Sequence, residues 1–338
     1  MTKLIYYIKL LRPLNLLIIA ATMYVVKFFV FQIWIDQEIE KQMKFSQKKF
    51  YDLIDHSLTF EIDFLLLVVS TVLLAAAGNI INDYFDIKAD RVNRPDKIII
   101  GKYIKRRWAI FSHWAFSTLG VIIAMYLGWK HQSYALVFIP IFSSFALWIY
   151  SVSYKRKLLI GNILIALLTA LVVVLPSIFI LHILPGKGSE LWLEVGYKIN
   201  ISPAIFLSVL LAVFAFISNF TREIVKDYHD VDGDKKMACE TIPIVTGDKF
   251  TRFIIGVLIF IQLLFFLLLI VVGSSKFDSS NFERAAYGFS IGLLITLLYT
   301  TAFIMNIASG ERKNYNRISF VLKIIMLLGV LFPLIVLF

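Results

Sequence analysis

Asn79-Ile80-Ile81-Asn82-Asp83-Tyr84-Phe85-Asp86-Ile87-Lys88-Ala89-Asp90 follows a predominantly apolar run over residues 62–81. About 20 such residues cross a bilayer as a helix, so the acidic stretch stands at the end of a predicted membrane span. The pattern returns 144 residues later. Glu223-Ile224-Val225-Lys226-Asp227-Tyr228-His229-Asp230-Val231-Asp232-Gly233-Asp234 follows a second apolar run over 203–221. Asp83, Asp86 and Asp90 superimpose on Asp227, Asp230 and Asp234, and Asn79 superimposes on Glu223. At 100° per residue, positions 0, 3 and 7 fall within about 60° of one another. Each motif therefore predicts three carboxylates on one helix face, while Asp232 points away and is left out.

Working outward from these two runs, nine helical spans are expected: 14–35, 62–81, 109–127, 134–150, 159–183, 203–221, 252–272, 286–308 and 318–338. The fold class is an all-α, polytopic transmembrane bundle. It is read as one membrane domain over 1–338, with two acidic-motif halves of roughly 1–150 and 151–338. The composition agrees: 59% of the 338 residues are hydrophobic and 17% are charged, against ~45–50% and ~25% in soluble domains. That excludes an ordinary soluble enzyme, a disordered chain and a disulfide scaffold; the single cysteine, Cys239, permits no intrachain disulfide.

The net charge of +11 is read as basic loops facing anionic lipid, not nucleic acid. With the N-terminus cytoplasmic and the C-terminus external, cytoplasmic segments hold 23 Lys and Arg, counting Arg252 at the start of its span, and external ones hold nine. This bias places both acidic motifs on the cytoplasmic side, in long loops over 82–108 and 222–251. An integral protein of the cell membrane with a cytoplasm-facing site is expected. Lys27 and Lys323, inside spans, are read as snorkelling, and His229 as a solvated loop histidine.

Stacked carboxylates repel, and low dielectric at a membrane surface strengthens the repulsion. Such clusters persist when a cation neutralises them. Carboxylate oxygens suit Mg²⁺, which is usually held by few carboxylates plus substrate phosphates. Two facing clusters could thus hold a diphosphate between metal ions. Further positive charge stands nearby: Lys88, Arg91 and Arg94 after the first motif, Arg222 and Lys226 in the second, and Lys155, Arg156 and Lys157 after the fourth span. A calcium loop is excluded, because with Gly233 as the turn glycine its first and last ligands would be Tyr228 and Cys239. A cation- or proton-coupled transporter is the rival, but transporter carboxylates usually lie near the bilayer midplane.

With these residues in view, the chain resembles the UbiA-type intramembrane prenyltransferases over nearly its whole length. The resemblance rests on Asn82-Asp83-Tyr84-Phe85-Asp86-Ile87-Lys88-Ala89-Asp90 with Asn93-Arg94-Pro95. It continues in Arg222-Glu223-Ile224-Val225-Lys226-Asp227, Asp230, Gly233-Asp234 and Thr241-Ile242-Pro243, with Arg12-Pro13-Leu14-Asn15 ahead of the first span. It implies a bundle around a cavity open toward lipid and transfer of a prenyl group from a prenyl diphosphate. It also implies that Asp83, Asp86, Asp90, Asp227, Asp230 and Asp234 hold Mg²⁺ and diphosphate, assisted by Asn79 and Asn82. Tyr150-Ser151-x-x-Tyr154-Lys155 is similar to the family's loop after span four, where Lys155 would grip the diphosphate. The 30 Phe and 15 Tyr residues could supply dry walls and cation–π contacts, while most of them are read as lipid-facing or packing residues.

The short link Asp90-Arg91-Val92-Asn93-Arg94-Pro95 and the Arg222–Asp227 run resemble the digeranylgeranylglyceryl phosphate synthase-like members. The expected acceptor is therefore a lipid-like hydroxyl of the geranylgeranylglyceryl phosphate type. An aromatic acceptor in quinone biosynthesis is the alternative. The chain departs from the pattern in lacking the usual glycine before Thr241-Ile242-Pro243.

Overall fold

The computed structural model describes residues 2–42, 57–93, 95–183, 186–187, 190–192, 198–274, 282–308 and 312–331. After α1 (Thr2–Leu11), α2 (Pro13–Val25) runs through a π-helical turn at Val26–Gln32 into α3 (Ile33–Gln42). Then come α4 (Ser57–Asn93), α5 (Arg106–Lys130), α6 (Tyr134–Val152), α7 (Ile160–Ile183), α8 (Ser202–Lys236) and the short α9 (Ile242–Thr246). The chain continues with α10 (Asp248–Ser274), α11 (Phe282–Ala308) and α12 (Tyr315–Leu331). Between α7 and α8 lie three short antiparallel strands, Gly186–Lys187, Glu190–Trp192 and Lys198–Asn200.

Helices coincide with the expected spans, the last as far as Leu331; residues 332–338 lie outside the described residues. Among the described residues seven helical segments are long and apolar enough to cross a membrane. The positions of the acidic motifs differ from expectation: they lie on helices, not in loops. Nothing between Asn79 and Asn93 breaks a helix, and Pro95 is the first residue that stops it. At 37 residues α4 is about 55 Å long, well beyond the ~30 Å hydrocarbon core. The 35-residue α8 starts with Pro203 in its first turn and tolerates Gly233 in its last turns. The surplus turns of both helices carry the motifs as rigid extensions, which keeps their carboxylates on fixed faces.

α8 ends in a Schellman geometry. Ala238 takes a left-handed φ of 53°, Cys239 N donates to Asp234 O at 3.0 Å, and Ala238 N donates to Lys235 O at 3.2 Å. Glycine normally fills such a position, so the departure noted in the sequence costs backbone strain here without changing the turn.

α4 packs along α5, α7 along α8, α10 along α11, and α12 against α8. One apolar core joins residues of α2 to α4, α7 and α8; a second joins α8 to α10, α11 and α12. α8 therefore braces both halves. A buried polar chain adds to the second core: Gln262 Nε2 donates to Thr221 Oγ1 at 2.6 Å, and Tyr299 OH donates to Gln262 Oε1 at 3.0 Å. Outside the bundle Trp108, Phe111, Trp114, Trp129 and Phe138 are exposed, as expected of a lipid-facing surface. Lys27 does not snorkel. It is fully buried, ion-paired to Glu61, with the rings of Phe28, Phe60 and Phe64 at 4.5, 4.9 and 4.9 Å.

Candidate active site

Six helices, α2, α4, α6, α7, α8 and α12, line one cavity of about 380 Å³, within the ~300–1,000 Å³ range of small-molecule sites. The lining follows helical periodicity. α2 contributes Arg12, Asn15, Ile18, Ile19 and Thr22; α4 contributes Thr71, Leu74, Ala75, Gly78, Asn79 and Asn82. α8 contributes Leu211, Phe214, Ala215, Asn219, Arg222 and Glu223; α12 contributes Lys323, Met326 and Leu327. Along each stripe the residues pass from apolar to polar toward the same end, so the cavity has a charged mouth and an apolar shaft. Tyr150 and Phe214 are the aromatic side chains that line it among the described residues. The walls are mainly aliphatic, so few of the chain's aromatics supply the dry lining.

The two acidic faces meet at the mouth. α4 and α8 pack against each other, and Asp234 lies within electrostatic reach of Asp86 and Asp230, as does Asp227 of Asp234. Asp83 is ion-paired to Arg12, whose left-handed φ of 56° turns the chain from α1 into α2. Asp86 accepts from Asn82 Nδ2 at 2.8 Å and is ion-paired to Lys155. Asp227 accepts from Asn162 Nδ2 of α7 at 2.8 Å. Asp90, one turn beyond Asp86, is half-exposed.

Lys155 reaches across from the α6–α7 turn to both motifs. Burial works to lower its pKa, but the Asp86 carboxylate beside it and Asp234 beyond win, so the group is raised above the ordinary lysine value and stays protonated. Tyr150 stands within reach of Lys155, Glu223, Asp227 and Asp86. Glu223 accepts from Arg222 Nη1 and Lys226 Nζ, both at 3.0 Å. Asn79 Nδ2 donates to Leu11 O at 3.0 Å, tying α4 to the end of α1. The turn itself is held by Glu240 N donating to Arg156 O at 2.8 Å.

Of the residues read from sequence, Arg94 lies outside the described residues. His229 is half-buried on α8, not in a solvated loop: its Nδ1 donates to Asp230 Oδ1 at 2.6 Å and its Nε2 accepts from Asn316 Nδ2 at 2.7 Å. Asp232 is exposed and pairs with Arg312 at 3.6 Å, consistent with its place on the opposite face. Sequence reading missed Asn162, which carries no local signal. It quoted Arg12 in a motif without giving it a role, and it misread Lys323, which lines the cavity.

Carboxylates are hard oxygen donors suited to Mg²⁺. Among the described residues no group of three or more His, Cys, Asp or Glu gathers closely enough to chelate a metal alone. Mg²⁺ ordinarily takes one or two carboxylates and completes its shell with phosphates and water, so the donor set fits a metal that arrives with a diphosphate.

Two long helices presenting mirrored carboxylate faces at the mouth of an apolar cavity define a membrane-embedded enzyme class that handles amphiphilic diphosphates. Residues 54–324 match the UbiA prenyltransferase family, and the chain belongs to that family. It is 33% identical over 198 residues to the digeranylgeranylglyceryl phosphate synthase of Pyrococcus horikoshii, covering 59% of this chain and 62% of that one. It is 30% identical over 274 residues to that of Methanothermobacter thermautotrophicus, covering 80% and 84%. The matched segments thus span under two thirds of the Pyrococcus protein. A solved structure described for digeranylgeranylglyceryl phosphate synthase superimposes over 100% of this chain and 99% of its own, with a TM-score of 0.61 at 22% identity. A UbiA homologue from Archaeoglobus fulgidus bound to GPP and Mg²⁺ gives 0.54 at 16% identity over 98% and 99%. These two likenesses concern the fold.

Proposed function

We propose that this protein transfers a prenyl group from a prenyl diphosphate to the hydroxyl of a geranylgeranylglyceryl-phosphate-like lipid, at a site facing the cytoplasm. One observation carries the reading: a single cavity joins a charged mouth to an aliphatic shaft, and the mouth's Arg12 and Lys155 pair with Asp83 and Asp86, with Asp234 within reach of Lys155. The shaft suits the prenyl tail and the mouth suits the diphosphate. Eight relatives named as digeranylgeranylglyceryl phosphate synthases support the choice of acceptor.

Asp83, Asp86, Asp227 and Asp234, with Asp90 and Asp230 beside them, are the residues to hold Mg²⁺. When bound, the metal would supply positive charge for the departing diphosphate. Lys155 does the same from the protein side, since it stays protonated. It must exchange Asp86 for the diphosphate as the substrate enters. Lys226 and Arg222, set by Glu223, extend that donor field. The allylic C–O bond breaks with its electron pair leaving on diphosphate; the acceptor oxygen forms the new C–O bond and gives up its proton. The aliphatic shaft excludes water, which would otherwise capture the allylic cation.

The test is transfer by purified protein from labelled prenyl diphosphates to a glyceryl-phosphate and to an aromatic acceptor. Asp83→Ala and Asp227→Ala should each abolish Mg²⁺-dependent transfer to the former. Product only with the aromatic acceptor, or full activity in both variants, would refute the proposal.

A further inference from the structure

Among the described residues, five of the six charged side chains lining the cavity are cationic: Arg12, Lys155, Arg222, Lys226 and Lys323; Glu223 is the anion. Four of the five hold carboxylates. Arg12 pairs with Asp83, Lys155 with Asp86, and Arg222 and Lys226 share Glu223. Lys323 differs. Its Nζ on α12 donates to Asn15 Oδ1 on α2 at 2.9 Å. Among the described residues, the charges acting on it are the positive ones of Arg222 and Arg12. A second anomaly stands beside it: Arg222 Nε is buried and has no partner among the described residues.

An ammonium group inside a membrane helix is costly unless paired, and a buried N–H without an acceptor adds to that cost. Both costs fall when an anion enters. Asn15 spends its Oδ1 on Lys323, which leaves Nδ2 to donate as well. One turn along α12, Met326 and Leu327 line the apolar shaft, so an anion held at Lys323 can carry an apolar chain. We infer that Lys323, Asn15 and Arg222 Nε form a second anion subsite, distinct from the Lys155–Asp86 pair, that takes a lipid phosphomonoester. Within the proposed reaction, on which this assignment of the ligand rests, that phosphate is the acceptor's head group. Its donors are Lys323 Nζ, Asn15 Nδ2 and Arg222 Nε, so it needs no metal of its own.

The experiment is equilibrium binding of a C20 glyceryl-ether phosphate and of its neutral alcohol to the full-length protein in nanodiscs, with inorganic phosphate as a third probe. Wild type should bind the phosphate lipid at least about tenfold tighter than the alcohol, the size of one charge-assisted hydrogen bond. Lys323→Gln should lose that preference while still binding the alcohol, and Lys323→Arg should restore it. Asn15→Asp, which pairs Lys323 internally, should lose it too. A preference that survives Lys323→Gln, or a variant that loses prenyl diphosphate affinity instead, overturns the subsite. Inorganic phosphate competing as well as the lipid overturns its lipid character. Transfer is assayed separately: a phosphate preference without transfer leaves the subsite standing and removes the proposed reaction.

Discussion

Gly161 gives the sharpest test of how the α6–α7 turn serves the site. A Cβ built there would lie 2.8 Å from Tyr154 O, 3.1 Å from Lys155 Cα and 3.2 Å from the Tyr150 ring. Ordinary contact begins near 3.4 Å, so Gly161→Ala forces a shift of about 0.6 Å. The first two neighbours are backbone, so no side-chain rotation relieves the clash. The moving segment carries Lys155, which pairs with Asp86. Overpacking of this kind costs about 1–3 kcal/mol, and ångström-scale misplacement of a positioning group costs up to about 100-fold in rate. Gly161→Ala should therefore remain folded while kcat/KM for prenyl diphosphate falls roughly 10- to 100-fold. The assay is steady-state transfer beside a thermal melt, with Lys155→Gln and the double variant. If Gly161 acts through Lys155, the double variant loses little more than Lys155→Gln alone. Wild-type kcat/KM in Gly161→Ala, or full additivity, would refute the reasoning.

Three further expectations follow from particular residues. Ala238→Gly removes the left-handed strain at the end of α8 and should stabilise the protein by about 1 kcal/mol, read as a raised Tm in detergent. Tyr299→Phe leaves Gln262 Oε1 without its donor at the α8–α10–α11 junction and should destabilise by about 1–2 kcal/mol; an unchanged Tm would show that the junction does not depend on this bond. Burial, then the Asp234 carboxylate, pushes the Cys239 thiol up to about 11. Its thiolate therefore forms only as pH rises toward that value, and maleimide labelling of the metal-free protein should be slow at pH 7.5, gaining about tenfold per pH unit below 11; labelling at the speed of a free thiol would contradict the burial.

Much of this protein is written locally. A carboxylate face depends only on spacing along one helix, so the 0, 3, 7 pattern of Asp83, Asp86 and Asp90 and its copy at Asp227, Asp230 and Asp234 reveal it without any structure. The same holds for spans, since about 20 apolar residues in lipid must satisfy their backbone internally. What chain order could not reveal is which face of α2, α7 and α12 turns toward those motifs, because that depends on packing between helices far apart in sequence. Asn162 on α7 reaches Asp227, and Lys323 reaches Asn15 across 308 residues. Hydropathy alone made Lys323 a charge escaping the membrane. The bundle instead turns it inward, where it lines the cavity and donates to Asn15. Likewise, the positive φ at Ala238 and the close approach at Gly161 are products of tertiary geometry. Sequence determined the chemistry the helices carry; packing decided which of those groups share one site.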